Sequence, residues 1–468
     1  MFRLRRPGRP GNDPQRLCLG ICKFYDQTPH GRPLPTPAQT IADIQTDREM
    51  KSQADYEYEV LTNPAIAELL LEIASEPVLK IARMERLRRE FGPSPFDAAV
   101  RLVKARQKAI SKFPCSASLW LDPVRAEQAT HQAVAHHKAL RFKGVPVADI
   151  CCGLGGDTMA LAKSSPVIIA IDLDHDCLRR LQFNLNHLNL AQNVTLLKAN
   201  ANRPILNSNF FIHIDPDRRA KQRSGRPTFQ IEEFQPNLST LLGYMKTHPG
   251  GAIKLSPGSP FETVELEASK CNIRTEMELI SLNGECKEAT LWFGQLAGDT
   301  PRSATQLPSG ANYRGHLSGT DLAAISTEHF GPYLFEVDSA LVRSGLAASF
   351  AKSNQLQLCS TEGAYLSGTK PNLCESPWLT GFKVQEILAP DRKAVKQALN
   401  RWGWTTAVVK TRGRIQADEA LKWLDQAPSG LTLETLFLWT SPHGPKCAIL
   451  ANRLGHNRSG QPMAFHPA

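Results

Sequence analysis

The stretch Ala148-Asp149-Ile150-Cys151-Cys152-Gly153-Leu154-Gly155-Gly156-Asp157-Thr158, followed at 167–174 by Val-Ile-Ile-Ala-Ile-Asp-Leu-Asp, decides the fold. The short apolar run Val145 to Ile150 has the composition of a buried parallel strand. Gly153, Gly155 and Gly156 then form a turn that tolerates positive φ and lets a ligand approach the backbone with no Cβ in the way. Asp157 or Thr158 is suited to cap the helix that starts there. The second apolar run ends in Asp172, nineteen residues past Gly153. A carboxylate at that strand tip accepts hydrogen bonds from both hydroxyls of a ribose. Together these features predict a β-α-β nucleotide-binding unit.

Two cofactor classes suit such a unit. A dinucleotide needs a third glycine three residues after the second, so that the helix N-terminus receives a pyrophosphate. Here the turn reads Gly-Leu-Gly-Gly-Asp, and Asp157 sets a negative charge where the pyrophosphate would lie. S-adenosylmethionine has no phosphate and carries a cationic sulfonium and ammonium, which acids at Asp149 and Asp157 favour. It is the expected cofactor, with a nicotinamide dinucleotide as the alternative. The expected contacts are Asp149, Cys151, Gly153, Gly155 and Gly156 around the loop. Asp157 is expected near the amino-acid part, Asp172 on the ribose and Asn200, or alternatively Asn202, on the adenine edge.

Further strands are predicted at Val194–Leu197, Phe210–Ile214 and Ala252–Leu255, with Glu276–Leu282 and Ala289–Phe293 closing the sheet as an antiparallel pair. The fourth strand runs into Asp215-Pro216-Asp217-Arg218-Arg219. Ligands in open α/β sheets bind at the carboxyl ends of the strands, so Asp215 is expected in the same crevice as Asp149 and Asp172. The expected acceptor site is Asp215, Pro216 and Arg218. Asp215 orients the acceptor and Arg218 stacks on a base or holds a phosphate, unless Arg218 is spent in a salt bridge to Asp217, Glu232 or Glu233. No cysteine lies in Asp215-Pro216-Asp217, so a cytosine-5 mechanism lacks its nucleophile.

Upstream, residues 1–49 are rich in Pro, Gly and Arg and read as a disordered basic tail, with Met50 as a second possible start. Residues 50–122 read as a helical region, with Asn63-Pro64 opening one helix by a cap and a proline at the first position. A single helix is expected from Pro123 to Phe142, where His131, His136, His137, Lys138 and Arg141 read as a solvated basic face rather than a metal site. The nucleotide-binding domain takes 123–300. Residues 301–360 read as a linker followed by a helix from Val337 to Lys352. Residues 361–455 alternate strands and helices as a small ferredoxin-like α/β domain does, and 456–468 form a tail.

The chain has 468 residues, 55 Lys and Arg against 45 Asp and Glu, and a net charge of +10. That balance suits a polyanion partner. Lys410, Arg412 and Arg414, near Trp402 and Trp404, are the expected RNA-binding residues, since cations beside aromatics suit looped or single-stranded RNA. No apolar run is long enough to span a bilayer, and the basic N-terminus is not followed by a signal-peptide core. A cytoplasmic protein with no membrane partner is expected. The eleven cysteines are scattered without paired Cys-x-x-Cys sets, so reduced thiols and no metal are expected.

Over about residues 60 to 454 the chain resembles a family of bacterial class I S-adenosylmethionine-dependent methyltransferases with a C-terminal THUMP-like domain. Asp149 to Thr158 looks like the family's cofactor loop and Ile214 to Arg219 like its fourth motif. Lys254-Leu255-Ser256-Pro257-Gly258 and Lys410-Thr411-Arg412-Gly413 look like later signatures. The resemblance implies a Rossmann-like methyltransferase sheet and base methylation of RNA. The first domain is also distantly similar to trimethylguanosine synthases. Those carry Asp, Asn or Ser, then two prolines and an aromatic, where this chain has Asp215-Pro216-Asp217-Arg218. A protein or small-molecule acceptor, or an RNA-binding protein without chemistry, are the alternatives.

Overall fold

A computed structural model describes residues 51–75, 80–203, 207–217, 233–316, 330–359, 363–426, 432–440 and 446–454. The tails expected at 1–49 and 456–468, and both Arg218 and Arg219, lie outside the described residues. The chain divides into two units, residues 1–55 and 56–468, and both sheets belong to the second.

The glycine loop sits in a sheet of nine described strands. They are β1 (Val147–Ile150), β2 (Ile168–Asp172), β3 (Val194–Lys198), β4 (Phe211–Ile214), β5 (Gly250–Leu255), β6 (Thr275–Leu282), β7 (Glu285–Gly294), β8 (Arg302–Leu307) and β9 (Ala311–Gly315). The order is β3-β2-β1-β4-β5-β7-β6-β8-β9. The first five are parallel, and β7 runs antiparallel between β5 and β6. Because β1 pairs with β2 on one side and β4 on the other, the strand order switches direction there. That is where such a sheet opens a crevice at its carboxyl ends. Ile150, Ile171, Ile212, Ile214 and Ile253 are fully buried in this sheet. Each contributes about 1.5–3 kcal/mol of transfer free energy, which explains why these strands read as unbroken apolar runs.

Residues 302–315, expected in the linker, instead form β8 and β9 at the edge of this sheet. Leu279 and Ala304, both fully buried, pair there. Two hydroxyls of this stretch are satisfied in the interior: Ser303 donates to Glu276 and Thr305 to Glu278, each at 2.5 Å. The β6–β7 connection is only two residues, Asn283 and Gly284, at φ 53° and 85°. This is the asparagine-glycine hairpin turn that positive φ at both positions demands. Ser339 Oγ donates to the Gly284 carbonyl at 2.7 Å.

The second sheet takes β10 (Tyr333–Val337), β11 (Gln357–Leu358), β12 (Tyr365–Gly368), β13 (Leu379–Leu388), β14 (Val408–Arg412), β15 (Glu434–Trp439) and β16 (Cys447–Arg453). Its order is β11-β12-β10-β13-β16-β15-β14. It is larger than the ferredoxin-like unit expected at 361–455, because strands from Tyr333 onward join it. The helix expected at 337–352 is two short helices, Ser339–Arg343 and Ala347–Ser353, parted at Gly345 with φ 78°. Asp391 caps the helix Arg392–Trp402, accepting from Lys393 N and Ala394 N at 3.0 Å.

The basic helix is the largest departure. It breaks into Pro123–Gln128 and Gln132–Arg141, with Thr130 buried at the break. His136 is exposed as expected, but His137, Lys138 and Arg141 face acids instead of solvent. Lys138 is 1% exposed and lies between Asp157 (2.8 Å) and Glu288 (2.7 Å). His137 pairs with Glu278 at 2.8 Å and Arg141 with Glu276 at 2.6 Å.

Candidate functional site

At the end of β1 the chain turns through Cys151 at φ 60°, a left-handed conformation uncommon for a residue with a side chain. Gly153 follows at φ 54° and donates its N–H to Asp172 Oδ2 at 2.8 Å. The other oxygen of Asp172 accepts from Asp174 N at 2.9 Å. Burial pushes the Asp172 carboxyl up, against these two donors. A Cβ on Gly153 would meet nothing within 4 Å, so the backbone here is open to a ligand. Gly155 has a different reason. At φ 80° its Cβ would lie 2.2 Å from Leu181 Cδ1, so the glycine serves the packing of the next helix. The helix begins at Gly156 with Gly155 as its cap, in place of the expected Asp157 or Thr158.

A cleft of about 1130 Å³ opens over this loop. Cys151, Gly153, Gly156, Asp157, Asp172, Asn200, Asp215 and Pro216 all line it. Asp149 lies outside that lining. It is 1% exposed, holds His213 Nδ1 at 2.7 Å and accepts from the Thr158 hydroxyl, so it braces the loop from below. Asn200 turns its side chain to Asn202 N at 2.9 Å and stays exposed at the rim. The register Ile150–Ile214 brings Asp215 beside the glycine loop, with Asp215 N donating to Ile150 O at 3.1 Å.

Sequence reasoning missed Arg125, Thr130, Gln235 and Lys254, which also line the cleft. Lys254, inside an apolar strand, carried a signal: a lysine there requires a partner. Its Nζ lies 2.6 Å from Asp215 Oδ2 and 2.8 Å from Thr130 Oγ1. Gln235 pairs with Asp217 through both backbone groups.

Burial, then Asp172, Asp215, Asp149 and Asp217, push the Cys151 thiol well above its ordinary range. Cys151 therefore stays a neutral thiol; of these acids Asp149 is already paired with His213 and Asp215 with Lys254, and Asp172 and Asp217 line the cleft beside the loop. Asp157 contributes less than its position suggests, because Lys138 already offsets its charge.

Lys410 and Arg412 line a second cavity of about 740 Å³ against the other sheet. Lys410 is held by both oxygens of Glu336 at 2.7 and 2.8 Å. The Arg412 guanidinium lies 5.7 Å from the Tyr365 ring centroid, and Arg412 and Arg414 are exposed. Asn283, in the hairpin turn, and Glu285, just after it, line both cavities.

The crevice at the strand switch, a glycine loop and an acid on the next strand tip define a nucleotide-cofactor enzyme. Comparison with known proteins makes this specific. Residues 145–223 match the family model of RNA cap guanine-N2 methyltransferases. An uncharacterized S-adenosylmethionine-dependent methyltransferase of Mycobacterium tuberculosis, from strains CDC 1551 and H37Rv, is 30% identical over 306 residues, 65% of this chain and 80% of that protein. A crystal structure from Porphyromonas gingivalis W83, assigned to the methyltransferases, shares the fold with a TM-score of 0.64 at 18% identity, covering 84% of this chain and 98% of the other. The chain belongs to the S-adenosylmethionine-dependent methyltransferases.

The cofactor is thus S-adenosylmethionine, which supplies the transferable methyl group as a sulfonium. The acid-rich, open-backed loop fits it. Asp172→Ala is expected to weaken cofactor binding by about 1–3 kcal/mol, the cost of leaving buried polar groups unpaired. Calorimetric titration checks this, and an unaltered affinity removes Asp172 from the site.

Proposed function

We propose that this methyltransferase acts on RNA in the cytoplasm and methylates a base nitrogen. One observation carries the reading: Asp215, at the end of β4, lines the same cleft as the cofactor loop, within the stretch similar to RNA cap guanine-N2 methyltransferases. Methyl transfer from a sulfonium is an in-line displacement, so the protein chiefly aligns the acceptor and keeps water away. Asp215 orients the acceptor amine by accepting its N–H, and buried Pro216 shapes the floor beside it. Gly153 and Gly156 hold the cofactor backbone-on, with Asp172 at the ribose and Asn200 at the adenine rim. The second sheet is the RNA-contacting, THUMP-like part, with exposed Arg412 and Arg414 on phosphates and Lys410 fixed behind them by Glu336. The shared Asn283–Glu285 edge lets one strand reach both cavities.

The test is incubation with methyl-labelled S-adenosylmethionine and RNA from a strain lacking the gene, with and without ribonuclease. Ribonuclease-sensitive label is expected. Label that survives ribonuclease and follows protein or a small molecule overturns the RNA reading.

A further inference from the structure

Beneath the acceptor side of the cleft, charges of alternating sign form a chain that is bridged once by a neutral hydroxyl. Lys254, near the end of β5, meets Asp215 across the strand boundary at 2.6 Å and donates to Thr130 Oγ1 at 2.8 Å. Thr130 donates its own hydroxyl hydrogen to Asp157 Oδ2 at 2.6 Å, in the first turn of the helix that follows the glycine loop. Asp157 continues to Lys138 and Lys138 to Glu288. Burial works against a charge on Lys254, but Asp215, Glu288 and Asp157 outweigh it, and the ammonium is held charged.

We propose that Lys254 is a positioning residue for methyl transfer: it commits Oδ2 of Asp215, leaves Oδ1 to the acceptor, and through Thr130 ties that carboxylate to the cofactor helix. The proposal rests on the reading of Asp215 as the group that orients the acceptor. It also narrows the acceptor class. A carboxylate locked beside an ammonium presents an oxygen that accepts hydrogen bonds and does not donate them, so the acceptor carries an X–H group. A carboxylate is also far too weak a base to ionise a ribose hydroxyl before attack, whereas a nitrogen lone pair attacks without prior deprotonation. The acceptor is therefore an N–H nitrogen, such as an exocyclic base amine. Its lone pair forms the new N–C bond to the methyl carbon, and the electrons of the broken C–S bond stay on sulfur, which becomes a neutral thioether. The surplus proton on nitrogen then passes to Asp215 Oδ1 and on to water.

The decisive measurement is a kinetic cycle on the full chain with labelled cofactor and RNA, comparing Lys254→Met, Asp215→Ala and the double variant. Lys254→Met is expected to lower kcat by about 10²–10³-fold, the scale of a lost preorganised charge, with KM for RNA and cofactor affinity within a fewfold. The double variant is expected to lose no more than Asp215→Ala alone, because Lys254 acts through that carboxylate. Lys254→Arg, which restores the charge, is expected to recover part of kcat. Thr130→Val removes the hydroxyl link and no charge, and is expected to give the same pattern at about tenfold. It keeps the question open to test if Lys254→Met does not fold. Wild-type kcat in Lys254→Met, additive losses in the double variant, or a kcat loss matched by lost cofactor affinity each overturn the proposal and leave the RNA reading standing. An active Asp215→Ala overturns the role given to Asp215 and this proposal with it. No label in RNA with the wild type overturns the RNA reading itself.

Discussion

Asp215→Ala is expected to lower methyl transfer by about 10²–10⁴-fold, the range over which a positioned proton acceptor acts, while cofactor affinity stays within a fewfold. The separation follows from the geometry. Asp215 stands at the end of β4 and lines the cleft, and on the proposed reading it serves the acceptor. The groups around the cofactor loop, Gly153 and Asp172, are tied to each other and not to Asp215. Loss of turnover with intact cofactor binding is the signature of a group used only with the acceptor. Single-turnover label transfer beside a cofactor titration measures both. Undiminished turnover would remove Asp215 from the chemistry.

Lys138→Met is expected to lower the free energy of unfolding by about 3–5 kcal/mol, measured by denaturant titration. Methionine matches the volume, so little of that loss is cavity. It comes from Asp157 and Glu288, both buried, left without their shared cation. A change below about 1 kcal/mol would mean that the two acids find other donors. The same cluster sets a pH response. Burial would raise the Asp157 carboxyl, but Lys138, His213 and Lys254 overrule it and hold it far below the ordinary carboxylate range. Its folded value is depressed, so its stabilisation is complete above about pH 4 and is lost as the pH falls below that. Lys138 is held above the ordinary lysine range by Asp157 and Glu288 against its burial. Its contribution is complete below about pH 10.5 and is lost as the pH rises through its folded value.

The parts legible in the sequence are those whose physics is local. A glycine turn between two apolar runs, with an acid at the second tip, needs no distant partner to be recognised. Neither does the antiparallel closure of the sheet, since both of its strands carry their own apolar periods. Partnership at long range was not legible. The charges of Lys138 and Arg141 read as a solvent face because, Asp157 apart, the acids that neutralise them, Glu276, Glu278 and Glu288, come about 140 residues later. The acids gave the clue that would have corrected this. Glu276, Glu278 and Glu288 sit in largely apolar strands and are themselves buried, and buried carboxylates require cations. Gly155 was read as a ligand contact because loop and packing glycines look alike until Leu181 is seen above one of them.

The Asn283-Gly284 turn carries a last consequence. A two-residue hairpin has no slack, and here Ser339 pins its carbonyl as well. The two openings meet at this turn, so the turn helps set the span between them. On the proposed reading, a substrate gripped at the second sheet would offer to the methyl group only the atom that falls at that span. Such an enzyme selects its target as a caliper does, by length from a point of contact, and needs to read little of the sequence in between.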